Sequence, residues 1–545
     1  MFGQMMDAPL SIISLIDYGA RYHGATEIVS RSVEGPIHRT DYRETFGRIA
    51  KLAHALKGLG TKEGDRIATL AWNGYRHFEL YYGLPGIGAI CHTINPRLAP
   101  EQIAYIVNHA EDRLIFTELT FVPLLEKLAP HLRTVEAVVI MTDRAHMPKT
   151  SLAKALCYED LLEREATTFP WPVLDERLAS GMCYTSGTTG NPKGVLYSHR
   201  STVLHALATC HRDGNGARHG EAVMPIVPMF HVNAWGIPFG APITPAKLVF
   251  PGARYDAESI CELLVGEKVA VAAGVPTVWI ALLDYLRTTG KRLPDLRVLG
   301  VGGSALSQAL CEAWEREIGV QIAHGWGMTE TSPAAVNNAL APREAALPED
   351  EQMRYKLMQG RARYLVDLRI TDPAGNPLPH DGVATGELCV RGPWIASGYY
   401  RDEGNARSWD AEGWFHTGDV AAIDPNGYIR LVDRIKDMIK SGGEWISSID
   451  LENAAMRHPA VAEAAAFARP DKKWGERPML AVRLRAGTKP TQAEIIESLA
   501  AEFPKWALPD EIMFLDELPH TATGKVAKRV LRERLAAPAP LAAKN

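Results

Sequence analysis

Apolar residues recur at two spacings along the chain, and the alternation between them predicts its architecture. Over 40–60 the apolar positions include Ile49, Leu52, Ala55 and Leu56, the spacing of an amphipathic helix, and Thr40 and Asp41 can cap its start. Residues 66–71 read as a short strand, 73–90 as a glycine-containing helix and turn, and 100–110 as a helix opened by Pro100. The short, mostly apolar runs at 113–116 and 137–141 read as buried strands, and the same alternation returns at 246–251, 256–267, 269–273 and 297–301. Strands alternating with helices predict parallel sheets covered by helices, an α/β class.

From about residue 360 short strands and turns dominate, as at Asp372-Pro-Ala-Gly and Asp424-Pro-Asn-Gly, which predicts a small antiparallel barrel or sheet, a barrel-like subdomain over 360–435. Beyond Asp433 the pattern changes again. A helix at 449–458, strands at 461–467 and 479–484, a helix opened by the capping box Thr491-x-x-Glu494 and a basic helix at 525–535 predict a small α+β domain, followed by a disordered Ala/Pro tail. The expected division is therefore a large body over 1–435, built of two α/β lobes with stacked mixed and parallel sheets plus the small β subdomain, and a second domain over 436–545. No internal repeat is apparent.

The longest charge-free run, 222–246, is long enough to suggest a membrane span, but it carries prolines at 225, 228, 238, 242 and 245. It reads instead as buried strand and loop lining an apolar cavity. The N-terminus has an acidic Asp7, no basic segment and only a short apolar stretch, which argues against a signal peptide. The 545 residues are 46% hydrophobic and 23% charged with net charge −5, near the globular average, so a polyanion binder held by general electrostatics is disfavoured. The seven cysteines are scattered with no Cys-x-x-Cys pair, which speaks for a reducing cytoplasm and against disulfide or zinc scaffolds.

The densest chemical signal is Tyr184-Thr-Ser-Gly-Thr-Thr-Gly-Asn-Pro-Lys-Gly. It sets the hydroxyls of Thr185, Ser186, Thr188 and Thr189 among Gly187, Gly190 and Gly194, and adds Lys193. Glycines let backbone N–H groups converge on an anion, hydroxyls donate to phosphate oxygens, and the lysine adds a point charge. This is a polyphosphate cradle. It is not a Walker A loop, because Gly194 follows Lys193 where that motif has a metal-holding Ser/Thr, and it is not a Gly-x-Ser-x-Gly nucleophile elbow.

This segment resembles the signature loop of the acyl-adenylate-forming superfamily, which includes acyl- and aryl-CoA synthetases, peptide-synthetase adenylation domains and beetle luciferase. The resemblance runs over essentially the whole chain, with further motifs in the expected order, and is greatest to bacterial medium-chain fatty-acid–CoA ligases and methylthiopropionate–CoA ligases. Phe230-His-Val-Asn-Ala-Trp-Gly resembles the acyl-pocket motif, with Trp235 at the tunnel gate and His231 beside the carboxylate and nucleotide. Amino-acid-activating relatives place an aspartate where His231 stands, and a substrate ammonium would be left unpaired here. Gly302-Gly-Ser-Ala resembles the adenine-bordering segment, implicating Gly303, Ser304 and Ala305. Gly325-Trp-Gly-Met-Thr-Glu implies Trp326 beside adenine, Thr329 at the α-phosphate and Glu330 on Mg²⁺, a cation suited to hard oxygen ligands. Asp419 and Arg434 resemble the ribose and phosphate ligands, and Lys436 the interdomain hinge. Gly442, Gly443 and Trp445 match the pantetheine passage, and Lys525 the C-terminal catalytic lysine. Val232, Trp235, Gly303, Gly325 and Gly327 are the expected acyl-lining positions.

The resemblance implies a two-step ligase. A carboxylate attacks the α-phosphorus of Mg·ATP, giving an acyl-adenylate and pyrophosphate; the small domain then turns about Lys436, and CoA thiolate displaces AMP. ATP, Mg²⁺, CoA and a medium-chain fatty acid are the expected ligands, with an arylalkanoic or methylthiopropionic acid as the alternative substrate. A homodimer is admitted; nucleic acid is not expected. Competing classes are an ADP-forming P-loop NTPase or kinase, a luciferase-like monooxygenase and a nucleotide-binding pseudoenzyme.

Overall fold

The computed structural model describes residues 1, 3–185, 191–210, 217–402, 404, 408–521 and 525–536. Ser186, Gly187, Thr188, Thr189 and Gly190 of the phosphate loop, and the tail beyond 536, lie outside the described residues.

Two large sheets form the body. In the seven-stranded sheet, Ala155–Cys157, Ala137–Ile140, Leu114–Thr117, Arg66–Leu70, Ile90–Thr93 and Ala179–Tyr184 lie side by side in parallel, and Gly194–Ser198 closes one edge antiparallel. The nine-stranded sheet has a parallel centre, Gln321–Gly327, Val298–Val301, Val269–Gly274, Ala222–Pro225, Lys247–Phe250 and Glu27–Arg31, with antiparallel strands at both ends. Helices cover them as the periodicity predicts. Tyr42–Gly58 begins where the Asp41 carboxylate accepts from the Glu44 amide at 2.8 Å, satisfying an otherwise orphaned donor. The charge-free run yields strand Ala222–Pro225 and then short helical turns, 232–243, broken by their prolines. Among the described residues no helix is long and apolar enough to cross a membrane.

The expected barrel-like unit is an open antiparallel sheet among the described residues: Asp367–Thr371, Gly386–Arg391, Phe415–Ile423 and Ile429–Arg434, in that order. Four short strands are too few to curl round and pair their outer edges. The C-terminal segment folds round a five-stranded sheet of Glu444–Ile446, Ile439–Ser441, Gly475–Leu484, Val461–Asp471 and Glu511–Phe514. Its helices Ser448–Arg457 and Gln492–Ala500 pack on a separate apolar cluster that includes Leu451, Ile495 and Leu499, and Thr491–Glu494 forms the capping box.

The sheets place the motifs. Strands Val298–Val301 and Gln321–Gly327 deliver 302–305 and 325–330 from the carboxyl ends of a parallel sheet, where α/β folds open a ligand crevice. The phosphate loop connects the hairpin strands Ala179–Tyr184 and Gly194–Ser198, so both its ends are pinned.

The helix Tyr75–Gly86 is anchored by a shielded ionic network. Arg48 donates to both Glu79 and Glu159, Arg76 to Glu159 and Glu34, and the Tyr158 hydroxyl to Glu79 at 2.6 Å. Glu79 is fully buried; burial pushes its carboxyl upward and Arg48 opposes this. Removing one member of such a pair leaves a charge unpaired away from water. Glu79→Ala is therefore expected to destabilise the protein by about 3 kcal/mol, read as a lower midpoint of chemical denaturation.

Candidate functional site

One cleft of about 1710 Å³ runs between the body and the C-terminal segment. Thr185, Lys193, His231, Val232, Trp235, Gly303, Ser304, Ala305, Gly325, Trp326, Gly327, Thr329, Glu330, Asp419, Arg434, Lys436 and Lys525 all border it.

Asp419 and Arg434 are direct partners across adjacent antiparallel strands, and Arg434 Nε lies 3.0 Å from Asp419 Oδ1. The second carboxylate oxygen accepts from the Trp326 indole N–H at 2.9 Å. One carboxylate thus ties the aromatic face of the body sheet to the last strand before the C-terminal segment. Glu330 is buried, and its Oε1 accepts from the Tyr399 hydroxyl at 2.6 Å. Burial raises its carboxyl above the usual range, while the Tyr399 hydrogen bond and Arg434 oppose the rise. A shielded carboxylate without an ion-pair partner among the described residues is a suitable ligand for Mg²⁺ beside phosphate oxygens.

Lys193 Nζ sits 2.8 Å from Asp402 Oδ2 and 4.6 Å from the centre of the Tyr399 ring. Its amide donates to Thr185 Oγ1 at 3.1 Å, and the Thr185 amide donates to the Lys193 carbonyl at 2.9 Å, closing the loop at its base. Lys525 enters from the other side. Its amide donates to Thr521 Oγ1 at 3.2 Å, holding its turn. Burial, then the nearby positive charge of Arg434, pushes its ammonium down to about 8, with Asp419 and Glu330 acting in the opposite sense. Burial and the charge of Lys525 push His231 down to about 4, so its imidazole is neutral at pH 7. Burial and Arg434 likewise lower Lys436.

The acyl-pocket motif takes an unusual path. Val232, Asn233, Ala234, Trp235 and Gly236 all have positive φ, between 43° and 77°. The turn brings Trp235 over Gly302, where an added β-carbon would lie 3.1 Å from the indole edge. At Gly327 any side chain would collide with the Pro333 carbonyl.

Three expected residues are not in the cleft. Gly442 and Gly443, at φ 62° and 96°, form the turn between Ile439–Ser441 and Glu444–Ile446, and Trp445 is 55% exposed with Lys440 over its ring. Trp445 is therefore not a core tryptophan. Sequence reasoning missed Tyr399, Asp402 and Tyr197, whose hydroxyl donates to the Thr329 carbonyl at 2.8 Å. The first two lie in Gly398-Tyr-Tyr-Arg-Asp, where two aromatics and an acid after a glycine could have drawn notice.

A cleft that gathers an aromatic face, a shielded carboxylate, a carboxylate–arginine pair and two lysines from opposite sides defines a nucleotide-dependent enzyme. Residues 17–400 match the model of the AMP-binding enzyme family, and residues 450–525 match the AMP-binding enzyme C-terminal domain. The chain belongs to this family. It is 48% identical to a long-chain-fatty-acid–CoA ligase of Thermus thermophilus, over 97% of this chain and 96% of that one. It is 46% identical to a 3-methylmercaptopropionyl-CoA ligase of Ruegeria lacuscaerulensis, over 98% of each chain. To a medium-chain-fatty-acid–CoA ligase of Ectopseudomonas oleovorans it is 43% identical, over 98% and 97%. Among solved structures it superposes on the anthranilate CoA ligase AuaEII in complex with anthranoyl-AMP with a TM-score of 0.86 at 25% identity, over 97% of this chain and 99% of that one.

Lys525 carries its charge below about pH 8 and loses it above. If that charge assists catalysis, kcat/KM for ATP, which reports the free enzyme, falls as pH rises through about 8. Lys525→Arg, whose guanidinium does not titrate there, is expected to flatten the alkaline limb, whatever its effect on the maximum.

Proposed function

We propose that this enzyme is an AMP-forming acid–CoA ligase that activates a medium-chain fatty acid. The reading rests above all on Lys525: a lysine of the C-terminal segment reaches into the cleft that holds Lys193, Glu330, Asp419 and Trp326. That is the arrangement needed to bring two anions, a carboxylate and a triphosphate, into reaction.

A carboxylate oxygen attacks the α-phosphorus, the bond to the bridging oxygen breaks, and pyrophosphate leaves. Lys525 neutralises the carboxylate and α-phosphate as they approach, and Thr329 donates to the α-phosphate. Lys193 and the hydroxyls of the 185–189 loop hold the β- and γ-phosphates, while Asp419 and Arg434 fix the ribose and Trp326, with 303–305, borders adenine. His231, neutral, orients the carboxylate without adding charge. Glu330 would hold Mg²⁺, which when bound would supply positive charge against that of the leaving pyrophosphate. The cleft surrounds the reacting groups from two sides, so thiol access requires rearrangement. In this reading the chain divides at about residue 435, and the 436–545 domain turns about Lys436. Lys525 withdraws, Gly442, Gly443 and Trp445 take its place along the pantetheine arm, and CoA thiolate displaces AMP.

The apolar walls around Val232 and Trp235 support a hydrocarbon tail. Methylthiopropionate is the second reading, favoured by the 46% identity to a ligase of that acid. ATP and CoA as substrates fit a cytoplasmic location, and the proposal includes a homodimer, to be read by sedimentation.

With octanoate, ATP and CoA, the products are expected to be octanoyl-CoA, AMP and pyrophosphate. Accumulation of ADP alone would sink the ligase reading in favour of a kinase or motor, and oxygen uptake or light without CoA would favour a monooxygenase. Lys525→Ala is expected to lower adenylation by at least about 100-fold and to spare thioester formation from supplied octanoyl-AMP. Equal loss of both halves would remove Lys525 from its assigned role.

A further inference from the structure

Arg363 breaks the pattern of the protein's other shielded arginines. Arg48, Arg76, Arg369 and Arg477 each hold a carboxylate. Arg363 borders the cleft and, among the described residues, pairs with none. Among the described residues its guanidinium donates to neutral acceptors: Nε and Nη2 to Asn337 Oδ1 at 3.3 and 2.8 Å, and Nη1 to Thr209 Oγ1 at 2.9 Å. A guanidinium carries five N–H groups, so two remain for another partner. Burial lowers it to about 10, which still leaves it charged at pH 7. The nearby Cys210 thiol, pushed up to about 12 by burial, supplies no countercharge. A shielded cation without a partner is costly, and a planar fork of donors is matched best by a carboxylate.

Its position is specific. Asn337 pairs with Gly325 across the strands, and a β-carbon on Gly325 would lie 3.4 Å from Asn337 Oδ1. Thr209 packs against Gly236 and Gly240, the start of the segment after Trp235. The guanidinium therefore spans the two walls assigned to the acyl chain, Gly325 on one side and the Trp235 turn on the other.

The geometry points to an anion subsite at Arg363 in the acyl pocket, which recognises the second carboxylate of a medium-chain dicarboxylic acid while the first is activated. This deepens, and rests on, the acid–CoA ligase reading: the chain between the two carboxyls meets the apolar walls, and the distal carboxylate completes the Arg363 fork. The alternative is that Arg363 only ties the Ala334–Asn337 strand to the helix His199–Cys210.

The test compares octanoate, octanedioate and monomethyl octanedioate by CoA-dependent AMP release, using the full-length enzyme and its Arg363→Met and Arg363→Lys variants. In the wild type octanedioate is expected to be turned over alongside octanoate and with a higher kcat/KM than its monomethyl ester, which lacks the distal charge. Arg363→Met should lower kcat/KM for octanedioate by about 10- to 100-fold, mainly through KM. Octanoate turnover should stay within about threefold, and Arg363→Lys should retain part of the diacid preference. Equal losses on octanoate and octanedioate would assign Arg363 to structure and overturn the subsite. Should Arg363→Met not fold, the wild-type comparison decides: octanedioate no better than its monomethyl ester overturns the proposal. Turnover of octanoate without turnover of octanedioate overturns only the subsite. AMP from no acid overturns the ligase reading and the subsite with it.

Discussion

A partly buried lysine ammonium dominates the electrostatics of the cleft. Lys525 is shielded by the body on one side and its own segment on the other, and Arg434 stands near enough to disfavour its charge further. Asp419 and Glu330 only partly offset this. At pH 7 the ammonium is charged but stands close to losing its proton, and an anion that completes the site stabilises the charged form further, so the cleft is built to gain from negative ligands. The neutrality of His231 follows first from its burial and then from the same field, since a second proton beside Lys525 would add to the repulsion. The modest net charge of −5 hides this, because the relevant charges are few and local.

The α/β alternation was legible because each strand and helix carries its own periodicity. Helix 100–110 and the strand at 137–141 could be read almost to the residue, matching Pro100–Ala110 and Ala137–Ile140. The capping box at Thr491 was equally local. The small sheet over 360–435 was read as barrel-like because turn chemistry reports hairpins and not whether their outer strands meet. The cleft's loops were visible as clusters of Gly, Ser/Thr and charge. Tyr399 and Asp402 were not, because their partners, Glu330 and Lys193, lie 69 and 209 residues away. Arg363 was invisible for a related reason: a cation with no carboxylate partner among the described residues is defined by what surrounds it in space.

The acyl walls combine stiffness with one soft element. Gly302, Gly325 and Gly327 sit in a parallel sheet and its exits, where Trp235 and the neighbouring backbone crowd the first two and the Pro333 carbonyl leaves no room for a side chain at the third. Opposite them runs a turn in which four consecutive non-glycine residues hold left-handed backbone, each at a cost of about 1–2 kcal/mol. Only the surrounding packing keeps it so. That wall has the least to lose on rearrangement, and Trp235 is the side chain it carries into the tunnel.

Lys193 adds a different constraint. Its ammonium already has an anion, the Asp402 carboxylate at 2.8 Å. Arrival of a polyphosphate there is consequently a substitution: one ion pair is surrendered for each one made, and the lysine's charge is compensated before and after. The free energy of docking at this position is then a difference between a carboxylate and a phosphate, small beside either alone. Selectivity by the loop lysine therefore lies in discriminating between anions, and bulk salt, which screens both pairs alike, has less leverage on the exchange than on a lone cation.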